Sequence, residues 1–155
     1  MSTEPLSYQL LEALQAQLQT ISVGNGFRTD LGGDIRLEAY SLEELAGEIS
    51  LRAYVYATEL TRDAANSSNR IKKDRVGVVI EAIVPTSASD GQRVAHRTLA
   101  DLRRALDQDE RQWLGEGLGR IEIATQSIEL RPAGLRLIVV QLGLSVMLTE
   151  TAPRT

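Results

Sequence analysis

The chain has no cysteine, and its 155 residues include only one histidine, one phenylalanine and one tryptophan. Without cysteine there is no disulfide, no thiolate nucleophile and no sulfur-ligated zinc, and the absence suits a reducing compartment such as the cytosol. The lone histidine, His96, has no Cys or Ser constellation in sight, so it reads as a solvated surface side chain. No apolar run reaches the ~18 residues of a membrane span. Met1-Ser2-Thr3-Glu4-Pro5 lacks a basic stretch followed by an apolar one, so no signal peptide is expected. A net charge of −4 gives no support to nucleic-acid binding through a generally basic surface.

What is present is ordinary for a globular protein: 43% hydrophobic and 25% charged residues. The length suits one domain, residues 1–155, and a chain of that size buries roughly 68–70% of its unfolded surface. The charge is unevenly placed. Residues 1–60 hold nine acids and three bases, whereas residues 61–75 hold five bases and two acids. Arg70, Lys72, Lys73 and Arg75 form a basic island, with Arg62 on the far side of the same polar segment.

Periodicity predicts a helix from Pro5 to Ile21, with Leu6, Leu10, Leu14, Leu18 and Ile21 in one stripe and Gln15, Gln17 and Gln19 largely off it. The following Val23–Gly33 segment holds four glycines, of which Gly24 or Gly26 suits a left-handed cap. Asp34–Ala39 reads as a strand, and Ser41-Leu42-Glu43-Glu44 as a capping box opening a short helix that Gly47 stops. Ile49–Leu60 and Arg75–Val84 read as strands joined by a long loop, Thr61–Asp74; loops of that length are usually functional or disordered. In the first of these strands Ile49, Leu51, Ala53, Val55 and Ala57 alternate with Ser50, Arg52, Tyr54, Tyr56 and Thr58. Ser89 or Asp90 caps a second main helix with the stripe Ala95, Leu99, Leu102 and Leu106. Asp107 with Glu110 caps a short turn that carries Trp113. Arg120–Arg131 and Leu135–Glu150 are two closing strands joined at Pro132-Ala133-Gly134, with a bulge expected near Ala124–Ser127. The second alternates without a miss and is the best candidate for a central strand. The order is helix–strand–strand–strand–helix–strand–strand. It predicts an α+β fold: a mostly antiparallel (mixed) sheet of about five strands with two main helices on one face.

No segment carries chemistry. Asp101 has Arg97 and Arg104 at helical spacing and reads as a surface ion-pair partner. Asp107, Asp109 and Glu110 read as capping residues. Gly24-Asn25-Gly26 follows a helix, where a phosphate-binding loop follows a strand, so it reads as a turn. The basic island is either a solvated loop or an adhesive arm that meets an acidic partner or passing DNA; no aromatic interleaves it for base stacking. Tyr54, Tyr56 and Trp113 are candidates for either core or interface.

Three features together resemble the tail terminator (tail completion) proteins of long-tailed bacteriophages. The first is an amphipathic N-terminal helix followed by a G-x-G-[FY]-x-T-D-x-G turn, here Gly24, Gly26, Phe27, Thr29, Asp30 and Gly32. Phe27 stands where Tyr is more usual. The second is a strand pair spanning a long polar loop, here Thr61–Asp74. The third is a helix of D-[IL]-x-[RK]-A-L type, here Asp101-Leu102-Arg103-Arg104-Ala105-Leu106, before a closing hairpin. The resemblance implies a small structural virion protein without cofactor or catalytic residue, assembled in the host cytoplasm as a hexameric ring. The ring caps the head-proximal end of the tail tube, stops its growth and presents a surface to the head–tail connector, with DNA passing through the lumen unread. The alternatives are another neck component (a head-completion or stopper protein), a small ligand-binding α+β domain, and a nucleic-acid module acting through the basic island.

Overall fold

The apolar stripe of the first helix, α1 (Leu6–Leu18), is buried as its spacing demands: Leu10, Leu14, Leu18 and the following Ile21 have no exposed surface. Each such side chain contributes roughly 1.5–3 kcal/mol relative to leaving it in water. The structure is a computed structural model that describes residues 4–46, 49–86, 90–130 and 136–151. The expected stop at Gly47, the Ser89 cap and the Pro132-Ala133-Gly134 turn lie outside the described residues.

A 3-10 turn at Val23–Asn25 and another at Leu31–Gly33 lead into β1 (Ile35–Arg36). The short helix α2 (Leu42–Leu45) precedes the long hairpin strands β2 (Arg52–Arg62) and β3 (Ile71–Pro85). Then come α3 (Gly91–Leu106), the one-turn α4 (Glu110–Trp113), and β4 (Leu118–Leu130) and β5 (Leu137–Thr151). The five strands form one sheet in the order β1-β2-β3-β5-β4, antiparallel except for the parallel β1–β2 pair. The expected mixed α+β sheet is therefore present.

Pleating sends alternate residues to opposite faces. Val76, Val78, Ile80, Ala82 and Val84 of β3, and Ile138 to Leu148 at every second position of β5, bury against α1 and α3 in one large core. The opposite face carries a smaller core of Leu45, Tyr54, Ile83, Leu137 and Val139 beneath α2. Ile49 packs on this second core, not on the first as alternation had placed it.

Several boundaries differ from expectation. β1 pairs over Ile35 and Arg36 alone, because Leu37 turns to pack on the core edge and Ala39 is exposed. β5 is interior, but the middle position belongs to β3. The bulge in β4 falls between Ile123 and Thr125, within the expected region, and a second lies between Leu118 and Ile121. At α2, Ser41 Oγ accepts from the Glu44 amide at 3.3 Å, as a capping box requires. The Glu44 carboxylate does not return to Ser41; it accepts from the Tyr54 hydroxyl at 2.7 Å and lies 3.5 Å from Arg36. Burial pushes the Tyr54 hydroxyl above the usual phenol range, the nearby Arg52 opposing it and the bond to Glu44 adding to it.

Candidate interaction site: a docked corner, a basic hairpin and a cationic helix face

The chain leaves α1 through Ser22, whose hydroxyl accepts from the Asn25 amide at 3.1 Å and whose carbonyl accepts from Phe27 N at 3.1 Å. Asp30 reaches back to accept from Val23 N at 2.9 Å. These bonds close a compact corner that ends against α3. There Asp101 is 1% exposed, and its carboxylate accepts from three groups of the corner. Arg28 N donates at 3.0 Å, Thr29 N at 2.7 Å and the Thr29 hydroxyl at 2.7 Å. One turn on, the Arg104 guanidinium donates to the Gly26 carbonyl at 2.6 Å and lies 4.6 Å over the Phe27 ring, a cation–π arrangement. Asp101 is thus not the surface partner of Arg97 or Arg104 that helical spacing suggested. It faces inward with Thr98, Leu102 and Ala105.

Gln17, expected off the apolar stripe, is 6% exposed and donates to the Ala105 carbonyl and to Gln108 Oε1, both at 2.8 Å. It ties α1 to the end of α3. The glycines divide by role. Gly26 sits at φ 87°, a left-handed cap, whereas a Cβ on Gly24 would meet nothing closer than 3.8 Å. Replacing Gly26 with Val is expected to cost about 1–2 kcal/mol from backbone conformation alone, since the nearest atom to its Cβ is 3.8 Å away. The measurement is the shift in denaturant midpoint, with Gly24→Ala as the near-neutral comparison.

The second feature is the basic island. The expected loop Thr61–Asp74 is shorter than that: Thr61 and Arg62 belong to β2, Ile71 to Asp74 belong to β3, and Thr61↔Arg75 and Arg62↔Asp74 pair across the hairpin. A 3-10 turn at Ala64–Asn66 and the hydroxyls of Ser67 and Ser68, which accept from the Lys73 and Ile71 amides, order the tip. The far end of β5 joins this extension, with Lys72 opposite Glu150 and Ile71 opposite Thr151. The five cations do not form one patch. Arg62 is ion-paired with Asp74 at 2.5 Å, and Arg75 donates to Ser145 Oγ at 2.8 Å. Pleat parity puts Lys72 and Lys73 on opposite faces. Arg70 is exposed at the tip, beside a depression of about 540 Å³ lined also by Ser68, Asn69, Ile71 and Thr151.

Of the aromatic candidates, Tyr54 is fully buried in the smaller core, stacked edge-on with Tyr40. It is core, not interface. Tyr56 is half-buried and its hydroxyl bonds to the buried Glu81. Trp113 is half-buried against the main core. Asp109 caps α4 by accepting from Arg111 N, Asp107 ends α3, and Glu110 accepts from Ile121 N, fixing α4 to β4. Among the described residues, no group of His, Asp and Glu side chains is placed to share a metal ion. No helix of the described residues is long and apolar enough to cross a membrane.

One charged surface was missed from the sequence. Arg93, His96, Arg97, Arg103 and Arg104 of α3 are all exposed, while the helix's one carboxylate is the buried Asp101. The signal was present: once Asp101 is assigned to the inner stripe, the outer face of α3 has cations and no acid.

No protein-family model matches this chain, and no curated protein matches it.

Proposed function

We propose that this chain is a structural virion protein of a long-tailed bacteriophage that caps the head-proximal end of the tail tube as a ring. The ring, sixfold in this reading, ends tube growth and offers the surface that joins the head–tail connector. It works by shape and charge, without a reaction. The observation that carries the proposal is the contact between the two short motifs on which the resemblance rests. The Gly24–Gly32 turn and the Asp101–Leu106 segment are far apart in sequence, and they meet through Asp101 with Thr29 and Arg104 with Gly26 and Phe27. That contact gives the two segments a shared structural role in this fold.

The projecting β2–β3 hairpin is the element we assign to the tube. Beyond the core it exposes Leu60 and Ile71 together with Arg70, an apolar and cationic mixture that a protein partner buries better than water does. Because the hairpin is already hydrogen-bonded, contact requires little ordering, which lowers the cost of association.

The test is assembly of tail tubes in the presence and absence of the protein, read by electron microscopy. Uniform tubes with a ring at one end are expected. Tubes of unrestricted length with bare ends at saturating protein would overturn the reading. Deleting Asn66–Asn69, or reversing Arg70, Lys72 and Lys73 to Glu, is expected to leave a folded protein that no longer seats on tubes. Normal tube length with either variant removes the hairpin from the contact.

A further inference from the structure

We propose that the outer face of α3 is the docking surface for the α2 corner of the neighbouring copy of this chain. The inference rests on the ring reading above and names the contact between its subunits.

The α3 face is costly as an isolated surface. Arg93 and Arg97, four residues apart, repel, and Arg93 in the first turn opposes the helix dipole. Asp101, one turn from Arg97 and the one carboxylate within α3, is turned inward and used by the corner, which leaves the exposed Asp90 at the N-cap as the acid one turn from Arg93. Arg28, Gln92, Arg93, His96 and Arg97 surround a shallow depression of about 400 Å³.

The partner is argued from charge and shape together. The chain carries −4 overall, so outside this cationic helix it is more acidic still. Each copy therefore offers the complementary surface, whereas an extended polyanion meets an acidic body around one basic face. At α2, Leu42 is 71% exposed, more than any other large apolar side chain among the described residues. Glu43 follows it in α2 and Glu38 lies four residues before it in the chain; both are exposed and in no ion pair with a described residue. An exposed leucine on an acidic stretch of chain complements a shallow depression lined by three arginines. The two surfaces cannot meet within one chain, because α2 covers the smaller core on one face of the sheet and α3 the larger core on the other. Two different patches on opposite faces make a head-to-tail contact, the kind that closes into a ring by rotation.

The experiment measures mass in solution by native mass spectrometry and light scattering, at low and high salt, for four proteins. Wild type is expected to give a ring that loosens with salt, as an interface with a charged rim does. Arg93→Glu with Arg97→Glu, and separately Glu38→Arg with Glu43→Arg, are expected to raise the dissociation constant at least about tenfold. The fourfold variant restores opposite charges across every interface and is expected to recover the ring. Melting of the Arg93→Glu, Arg97→Glu subunit is expected within a few degrees of the wild-type subunit's, both measured at high salt where the ring is dissociated, because one like-charge pair replaces another on an exposed helix face; this separates lost docking from lost folding. Rings that persist in both double variants overturn this contact and leave the ring reading standing. A wild type that stays monomeric alone and on tube ends overturns both. Rings that persist while duplex DNA binds wild type and not Arg93→Glu, Arg97→Glu assign the face to a polyanion and overturn the proposal.

Discussion

Asp101→Ala is expected to destabilise the protein by about 3–5 kcal/mol, because each buried donor left without an acceptor costs about 1–3 kcal/mol. The carboxylate serves the Thr29 amide and hydroxyl, which are buried, and the Arg28 amide, which is partly so. Water recovers most for Arg28 and least for Thr29. Helix propensity works in the opposite direction, since alanine is the best helix former, so the loss measures the corner and not the helix. For a chain of this length the melting temperature falls by roughly 6–20 °C. Asp101→Asn keeps one oxygen for Thr29 but turns an NH₂ toward the Arg28 amide, so its loss is smaller. Thr29→Val removes one donor and costs about 1 kcal/mol. Made in the Asp101→Ala background, the same change costs less, because the bond it removes is already gone. An Asp101→Ala protein that unfolds at the wild-type denaturant midpoint would show that the corner is held by other contacts.

Burial of that carboxylate marks the boundary of what the sequence made legible. The faces of β3 and β5 were readable because a two-residue period over a long strand admits only one assignment of inside and outside: Val76 to Val84 and Ile138 to Leu148 bury as they alternate. The stripe of α1 was readable for the same reason at helical period. Asp101 was not, because a local rule was satisfied first: Arg97 and Arg104 stand at ion-pair spacing. The competing clue was positional. Asp101 follows Thr98 by three and precedes Ala105 by four, so it continues a stripe that buries both neighbours. Its partners come from 73 and 72 residues away, a separation no window along the chain can see.

The hairpin failed to read as a strand for a different reason. Thr61, Arg62 and Arg70 to Arg75 are exposed or half-buried on either face, so nothing there imposes an apolar period. Backbone pairing to β5 extends the ladder where side-chain pattern gives no sign of it. A polar composition therefore looked like a loop although each strand continues through it. The consequence for function is that the basic island is divided. Its charge is partly spent on Asp74, and a second cationic surface lies on α3, where the sequence had shown a surface ion pair. Both errors have one source: the charge count along the chain does not say which charges are turned inward.

Gly32→Ala is the second large effect, and it arises without any unusual backbone angle. A Cβ at Gly32 would stand 2.6 Å from the carbonyl oxygens of both Gln19 and Ile21. These are backbone atoms at the end of α1, so no side-chain rotation relieves the contact. The Gly32 amide also donates to the Ile21 carbonyl at 2.9 Å, so opening the gap weakens a bond that holds the corner to the helix. Forced overpacking of this kind costs typically about 1–3 kcal/mol, and the weakened bond adds about 1 kcal/mol. The expected loss for alanine is therefore about 3 kcal/mol, a fall of roughly 6–12 °C in melting temperature, and Gly32→Val exceeds it. Gly33 provides the internal control, since a Cβ there meets nothing within 4 Å. Gly33→Ala is expected to be neutral or slightly stabilising, because it removes freedom from the unfolded chain. Calorimetry on the pair decides the matter. Equal melting temperatures for the two alanine variants would mean that the corner tolerates a wider gap from α1 than its packing implies. A large difference would place the glycine requirement of the turn at Gly32, where the approach of two backbone segments is closest.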